Sequence, residues 1–216
     1  MRVAVVTPHH DTRRAVFLDR LRYYMERQTM QPDMWIIVDD EFSTGVTDLT
    51  KRVRIGCERA KQQGADVVLI MEDDDWYHSD YIKTMVGWWV SHGRPQIFGI
   101  GYTLYFHLAG RVWHSDHKGR ASLMSTLVSV DALERFTWPA DEYVWLDIEL
   151  WKQLKGRTVE PQRFYSVGIK HGIGLCGGVG HNKGFSKYKP DPAWSNLKRH
   201  LPASDIEFYK SLYQPA

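Results

Sequence analysis

Four consecutive carboxylates follow an apolar run in LIMEDDDWY, which spans residues 69–77. These acids, Glu72 to Asp75, repel one another at neutral pH unless solvent or a cation lies beside them. Carboxylate oxygens are the ligands that Mg²⁺ and Mn²⁺ prefer, and such ions usually keep phosphate groups as further ligands. A solvated acidic turn is the ordinary alternative. Because an apolar strand leads directly into the acids, we favour a metal-binding site.

Two other apolar runs also end in residues that can contact a ligand. RVAVVT ends at Thr7 and is followed by Pro8, and MWIIVDD ends in Asp39 and Asp40. Hydrogen bonds from the two aspartates to a base or a ribose are one interpretation. Capping of the following helix is another, and the two are not exclusive.

The first 92 residues alternate between predicted strands and helices. The strands cover 2–7, 34–40 and 66–71, and the helices cover 13–28, 47–63 and 79–92. This β-α-β-α-β-α order is typical of an α/β fold with a central, mostly parallel sheet flanked by helices. The strands lack polar alternation, which fits a sheet that is covered on both faces. Ligands bind such sheets at the carboxyl ends of the strands, so we expect the three polar strand ends to converge.

The pattern is less regular after residue 93. We expect a hairpin around Ala109 and Gly110, and then a strand and a short helix within 122–136. The remaining predicted elements are a helix over 142–156 that ends at Gly156, a strand over 163–171, a glycine-rich loop over 172–184 and a short C-terminal helix packed on the body. No repeat or linker interrupts the chain, so we predict a single domain.

The overall composition narrows the class of protein. A chain of 216 residues with 43% hydrophobic residues can bury one sizeable core. Its net charge of +2 is too small to indicate nucleic-acid binding by itself. The two cysteines, Cys57 and Cys176, argue against a disulfide scaffold. The first apolar run is too short for a signal peptide, and no run approaches the ~20 residues of a membrane span. We therefore expect a soluble, cytoplasmic protein.

Four segments form a series: VAVVTPHHD, WIIVDDEFSTG, RIGCERAKQQGADVVLIMEDDDWYHSDYI and WLDIELWKQL. The series resembles the successive signatures of family 2-type glycosyltransferases of GT-A fold, closely over 2–92 and loosely over 140–184. The resemblance implies a Rossmann-like nucleotide-diphospho-sugar transferase fold. It also implies a metal-dependent enzyme that moves a sugar from a nucleotide-diphosphate sugar, UDP-sugar favoured, to a hydroxyl of a saccharide, a protein or a modified nucleic-acid base. The domain, 1–216, would divide into a nucleotide-binding half, an acceptor and metal half, and a tail: 1–92, 93–190 and 191–216.

Carried over position by position, the resemblance implies a set of nucleotide-sugar contacts. They are Thr7, Pro8, Asp39, Asp40 and Arg54, with Arg52 as a close rival for Arg54. Registering EDDD on the family's D-x-D-D pattern makes Glu72 the first acid, on the nucleotide-sugar side, and Asp73 the variable position beside it. Asp74 is then the leading metal ligand, with Asp75 alongside. A register based on Asp73 and Asp75 stays open.

The stretch CGGVGH, residues 176–181, carries a second resemblance. It looks like the C-x-x-V-G-H segment of polypeptide GalNAc-transferases, whose histidine binds the metal. By that likeness His181 is the candidate imidazole ligand of Mn²⁺ or Mg²⁺, with His171 in reserve. A loop histidine that is only hydrogen-bonded or exposed is the alternative. Lys183 could meet the departing diphosphate, and a solvated surface lysine is an equal alternative.

Asp147 falls on the family's acceptor-side acid, at the start of a helix. The family's ED pair reads Leu146–Asp147 here, so the second acid alone matches. As a general base, Asp147 would take the proton of the acceptor hydroxyl, which implies in-line displacement with inversion. The GalNAc-transferase likeness points to retention instead; we favour inversion. A capping role is the alternative for Asp147, and Trp145 is a candidate for stacking on a sugar.

Two other classes stay open. A nucleotidyltransferase can use a similar α/β sheet and acidic metal site, but it would carry a glycine-rich basic loop where this chain reads TPHHDTRR. A non-catalytic metal- or nucleic-acid-binding protein would leave Asp147 without a role. Basic segments at 12–14, 117–120 and 196–200 keep a nucleic-acid acceptor in consideration.

Overall fold

A computed structural model describes residues 1–10, 14–42, 47–172 and 188–212 of the chain. The elements of the first half are β1 (Val3–Pro8), α1 (Ala15–Glu26), β2 (Met34–Val38), α2 (Leu49–Gln62), β3 (Val67–Ile70), β4 (Trp76–Tyr77) and α3 (Tyr81–Ser91). Those of the second half are β5 (Ile97–Ile100), β6 (Thr103–His107), β7 (Val112–Asp116), β8 (Thr126–Ser129), α4 (Val130–Leu133), α5 (Leu146–Gln153), β9 (Gly156–Val159), β10 (Ser166–Lys170), β11 (Lys189–Pro190) and α6 (Ala203–Leu212). Short 3-10 helices occupy Leu123–Ser125 and Leu197–Arg199.

The larger sheet has the strand order β2-β1-β3-β8-β5-β9. β2, β1 and β3 are mutually parallel, as expected for strands joined by the crossover helices α1 and α2. β8 runs antiparallel between β3 and β5, and β9 is parallel to β5. The prediction of an α/β fold with a mostly parallel sheet is confirmed.

Both faces of this sheet are covered, as the continuous apolar runs indicate. Along β1, the side chains of Val3 and Val5 join a core with α1 and α3, whereas Ala4 and Val6 join a second core with α2 and α5. Helix α2 lies close to β1 because Gly56 has no side chain; a Cβ at this position would collide with Val6. This contact explains the glycine in RIGCERA by packing.

The smaller sheet has the order β11-β7-β6-β10-β4. Its strand β4 comes directly after the acidic run and pairs antiparallel with β10, with Trp76 opposite Val167 and Tyr77 opposite Ser166. The acidic run therefore lies where the two sheets meet. Helix α6 packs on the body through Ile206 and Tyr209, both buried, which confirms the predicted C-terminal helix.

The structure confirms the hairpin and the strand–helix pair of the second half, and it corrects one element. β6 and β7 form the hairpin, and β8 leads into α4. The helix predicted over 142–156 is shorter: α5 covers Leu146–Gln153, and Gly156, the predicted end of the helix, begins the unexpected strand β9. A Cβ at Gly156 would lie 2.6 Å from Cζ3 of Trp151, so glycine lets β9 pass beneath that ring.

Within the described part of the chain, none of the helices has both the length and the apolar character that crossing a membrane would need.

Candidate functional site

The strand ends predicted to carry ligand contacts lie together at the carboxyl end of the parallel strands in the larger sheet. Pro8 pairs with Val38 in the parallel register, and the His9 amide donates to the Val38 carbonyl at 3.0 Å. The Met71 amide donates to the Val6 carbonyl at 3.0 Å, so the acidic run begins beside the end of β1. The topology therefore brings the three polar strand ends together.

Asp73 is held by two cationic or protonatable groups from the start of the chain. Its carboxylate is 2% exposed, with Oδ2 2.6 Å from Nδ1 of His9. The guanidinium of Arg14, the residue before α1, contacts the other oxygen. Burial raises the pKa of Asp73, and the hydrogen bond from His9 and the charge of Arg14 counteract part of that effect.

Asp74 and Asp75 are bound to groups from the second half of the chain as well. Oδ2 of Asp74 lies 2.8 Å from Nε2 of His171 and 2.8 Å from Nη2 of Arg14. Burial alone would raise the pKa of Asp74, but Arg14 and His171 outweigh it and hold this pKa well below its usual range. Asp75 accepts a hydrogen bond from the Ile169 amide at 2.8 Å, and burial together with the charge of Asp74 raises its pKa.

The predicted metal ligands come together only in part. Of the four candidates, Asp74 and His171 are in contact, and Asp75 is the next residue after Asp74. His181 lies outside the described residues, and among those that are described no group of three His, Cys, Asp or Glu side chains is arranged to hold a metal ion. Arg14, which sequence reasoning did not assign, places a positive charge beside Asp73 and Asp74, and the charge of Lys170 lowers the pKa of Glu72.

A cavity of about 160 Å³ lies at the carboxyl end of these strands, beside Glu72. It is lined by Glu72, Asp147, Arg120, Lys170, Trp145, His117, His114, Asp116, Tyr105, Ser122, Leu49, Leu123, Met124 and Val144. Burial and the neighbouring charge of Asp74 raise the pKa of Glu72 to about 7. Glu72 thus faces the same space as Asp147, although 75 residues separate them in sequence (147 − 72).

Asp147 lies in the first turn of α5, as predicted, and is 9% exposed. Oδ2 of Asp147 contacts the guanidinium of Arg120. Burial raises the pKa of Asp147, while the charge of Arg120 and the Ile148 amide partly offset that rise. Trp145, two residues earlier, is 50% exposed and lies at the same cavity.

The candidate nucleotide contacts on β1 and β2 differ in accessibility. Thr7 is fully buried, and its hydroxyl accepts a hydrogen bond from Nε1 of Trp35 at 3.0 Å. Asp39 is exposed. Asp40 accepts from Arg59 at 2.8 Å, and this hydrogen bond lowers its pKa.

The two rival arginines of α2 occupy different places. Arg52 is buried and donates to the Val38 carbonyl at 3.0 Å and to Asp48 at 2.7 Å, so its guanidinium lies at the carboxyl end of β2. Arg54 instead pairs with Glu58 at 3.2 Å and Asp141 at 2.9 Å. The remaining nucleotide-sugar candidate, Lys183, lies outside the described residues.

Sequence reasoning missed the basic partners of the acids. His9 and Arg14 stand in TPHHDTRR, where their closeness to the predicted strand end was an available signal. Arg120 carried no such signal, because its contact with Asp147 joins residues 27 positions apart, with β8 and α4 between them in the chain.

Comparisons with solved structures identify the fold. S. aureus TarS superposes with a TM-score of 0.57 at 14% identity, over 78% of this chain and 37% of that one. Its segment 1–349, solved in complex with UDP-GlcNAc, gives a TM-score of 0.57 at 12% identity, over 79% of this chain and 59% of that one. The chain thus spans less than two thirds of the length of these structures. A cytidylyltransferase from Leptospira borgpetersenii gives a TM-score of 0.48 at 14% identity, over 76% of this chain and 77% of that one.

No protein-family model matches the sequence, and neither does any curated protein. The strand order, the acidic run at the edge of the parallel strands and the superposition on TarS agree on the fold. The chain has a Rossmann-like α/β fold, which it shares with TarS.

Proposed function

We propose that this protein is a glycosyltransferase that moves a sugar from a nucleotide-diphosphate sugar, with a UDP-sugar favoured, to the hydroxyl of an acceptor. The observation that carries the proposal is the cavity shared by Glu72 and Asp147. This cavity is lined by an acid from the end of β3 and an acid from the start of α5. It lies at the carboxyl end of the parallel strands, where α/β folds bind ligands. The fold that the chain shares with TarS, a protein solved with UDP-GlcNAc, supports this class of donor.

The nucleotide is proposed to bind along the ends of β1 and β2. Asp39 is exposed there and can accept hydrogen bonds from a ribose or a base. Arg52 is preferred to Arg54 as a nucleotide contact, because its guanidinium lies at the carboxyl end of β2. Lys183 is proposed, from the resemblance alone, as a contact of the diphosphate.

Mn²⁺ or Mg²⁺ is the proposed cofactor, and the donor chemistry of the acidic run fits such an ion. Asp74 Oδ2 and His171 Nε2 are hydrogen-bonded to each other at 2.8 Å, and an ion held by both would replace the proton between them. Carboxylate oxygens are the ligands that Mn²⁺ and Mg²⁺ prefer. We assign the ion to these two residues, with Asp75 beside them and His181 as a further ligand. When bound, such an ion supplies positive charge that neutralises the leaving diphosphate.

Asp147 is the proposed general base. The positive end of the α5 dipole favours its ionised form. The acceptor hydroxyl gives its proton to Asp147 as its oxygen bonds to the anomeric carbon, and the bond from that carbon to the diphosphate oxygen breaks with its electron pair. Attack opposite the leaving group inverts the configuration. Trp145 is available at the cavity to stack on an acceptor, which would be a saccharide, a protein or a hydroxylated nucleic-acid base.

The test measures nucleoside diphosphate release from a panel of UDP-, GDP-, CDP- and dTDP-sugars in Mn²⁺, with water as the acceptor. We expect slow hydrolysis of one donor, its loss in Asp74→Ala, and a fall of at least roughly 100-fold in Asp147→Asn with the nucleotide dissociation constant unchanged. Asp19→Asn, an exposed aspartate of α1, is the matched control.

Two results would contradict the proposal. One is the absence of release from every donor. The other is pyrophosphate release from a nucleoside triphosphate with a sugar, which would assign a nucleotidyltransferase instead. An Asp147→Asn protein with unchanged hydrolysis would remove Asp147 from the base role and leave the rest of the proposal standing.

A further inference from the structure

The turn that follows β7 contains two residues in the left-handed backbone region. His117 has φ 71° and Gly119 has φ 81°. Glycine adopts this conformation readily, whereas a histidine does so at a cost in free energy. Residues in such conformations persist where their surroundings hold them, and they are concentrated at functional sites.

His117 is held in this conformation from two sides. Its amide donates to Oδ1 of the preceding Asp116 at 2.7 Å, and its Nε2 lies 2.6 Å from the hydroxyl of Tyr105 on β6. The ring is buried at 9% exposure, edge-on to the ring of Tyr105. The turn is therefore fixed to the smaller sheet at the point where its backbone is strained.

Three residues later, the same turn delivers Arg120 to the proposed base. The guanidinium of Arg120 contacts Oδ2 of Asp147, and both side chains line the cavity. A carboxylate with one oxygen fixed by an arginine has its other oxygen fixed in direction as well. The strained turn and this contact belong to one continuous segment, 116–120.

We propose that Arg120 is the positioning residue of Asp147, and that the turn 116–120 is built to hold it there. In this role Arg120 orients the carboxylate toward an incoming hydroxyl and favours its ionised form. The inference rests on the proposed function in so far as Asp147 is a base. Arg120 is a positioning residue because it acts through Asp147.

Several other titratable groups face Asp147 and must be considered in any test by pH. They are Glu72 from the end of β3, Tyr105 from β6, His114 and Asp116 from β7, His117 in the turn, and Lys170 from β10. None of these residues is replaced in the variants below, but Arg120 also lowers the pKa of His117, so removal of its charge raises that pKa as well. The titration of the Asp147 carboxyl itself is therefore the measurement that reports on Asp147 separately from His117.

The experiment compares Arg120→Gln, which removes the charge, with Arg120→Lys, which keeps it. Arg22→Gln is the matched control, because Arg22 forms an exposed pair with Asp19 on α1. Carbon-13 NMR follows the titration of the Asp147 side-chain carboxyl, with the signal assigned from Asp147→Asn. Donor hydrolysis is measured in parallel over pH 4 to 9, and thermal melting shows that each variant is folded.

We expect Arg120→Gln to raise the pKa of Asp147, because a neighbouring cation is lost. We also expect kcat to fall roughly 100-fold with KM for the donor within about twofold, and the acid limb of the kcat profile to move to higher pH. Arg120→Lys should recover most of kcat and of the titration, and Arg22→Gln should match the wild type.

An unchanged titration of Asp147 in a folded Arg120→Gln protein overturns the inference. So does a rise in KM at constant kcat, which would make Arg120 a donor-binding residue. If the wild type releases no nucleotide from any donor, the proposed function fails, and the NMR titration alone decides whether Arg120 controls Asp147.

Discussion

Replacement of Arg14 tests what neutralises the acidic run. In Arg14→Gln, Asp73 at 2% exposure and Asp74 at 9% exposure keep their charges without the guanidinium between them. Breaking a buried ion pair costs about 3–5 kcal/mol. The Arg14 side chain is 20% exposed, and His9 and His171 remain as partners. We therefore expect a loss of about 2–3 kcal/mol in the free energy of unfolding at pH 7.

The assay is urea unfolding together with thermal melting. For a chain of this size, 1 kcal/mol corresponds to about 2–4 °C, so we expect the Tm to fall by about 4–12 °C. The pKa of Asp74 is depressed in the folded state, so its contribution is present above its unfolded pKa and is lost as the pH falls through and below ~4. The difference between Arg14→Gln and the wild type should accordingly shrink toward acidic pH.

Mn²⁺ provides the second arm of this test. If the ion binds Asp74, it competes with Arg14 for the same oxygen, and it should raise the Tm more in Arg14→Gln than in the wild type. Arg22→Gln, on the exposed face of α1, should change stability by less than ~0.5 kcal/mol. An Arg14→Gln protein as stable as this control would refute the electrostatic reasoning. If Mn²⁺ raised the Tm of both proteins equally, the ion would not bind at Asp74.

Three further predictions concern the fold around the site. Gly99→Ala should destabilise by about 1–3 kcal/mol in urea unfolding, because its Cβ would lie 2.6 Å from the carbonyl oxygen of Ser125. Burial lowers the pKa of His117 from 6.5 to about 4. As the pH falls from 6.5 to 4, the unfolded state therefore binds this proton before the folded state does, and the free energy of unfolding decreases. His117→Asn should abolish about 1–2 kcal/mol of that decrease, a value reduced to allow for screening by solvent in the cavity. Asp205→Asn should lower the Tm by about 4–10 °C. This buried carboxylate of α6 accepts a hydrogen bond from Nε1 of Trp76 at 2.6 Å and another from the guanidinium of Arg20 on α1.

The fold was predictable where each segment had one dominant pattern. The strands β1, β2 and β3 are continuous apolar runs that end in polar residues, and amphipathic helices separate them. The strands that were missed are short or polar. β4 contains two residues, and β9 is GRTV at the sheet edge, with its first two residues exposed. Pairing with a distant partner creates such strands, and their own sequence carries little of that information.

The position of the site, at the carboxyl end of the parallel strands, was predictable from the sequence. Parallel strands force their carboxyl ends together, so Thr7, Asp39 and the acidic run were bound to be neighbours. Which side chain neutralises which acid depends on contacts over 59 residues for Arg14 and 27 for Arg120. No period in the sequence encodes these separations, because they arise from how turns and helix ends pack against the sheet.

The four acids that look equivalent in sequence have different roles in the fold. Asp73 is bound to groups at the start of the chain, and Asp75 is bound to the backbone of β10 in the second sheet. Asp74 is bound to both halves, through Arg14 and His171, while Glu72 lines the cavity. Three of the acids therefore join parts of the molecule, so loss of activity on replacing them reports on structure as well as on chemistry. Because Glu72 faces the cavity, a change in activity on replacing Glu72 reports on the chemistry of the site more directly than replacement of the other three acids.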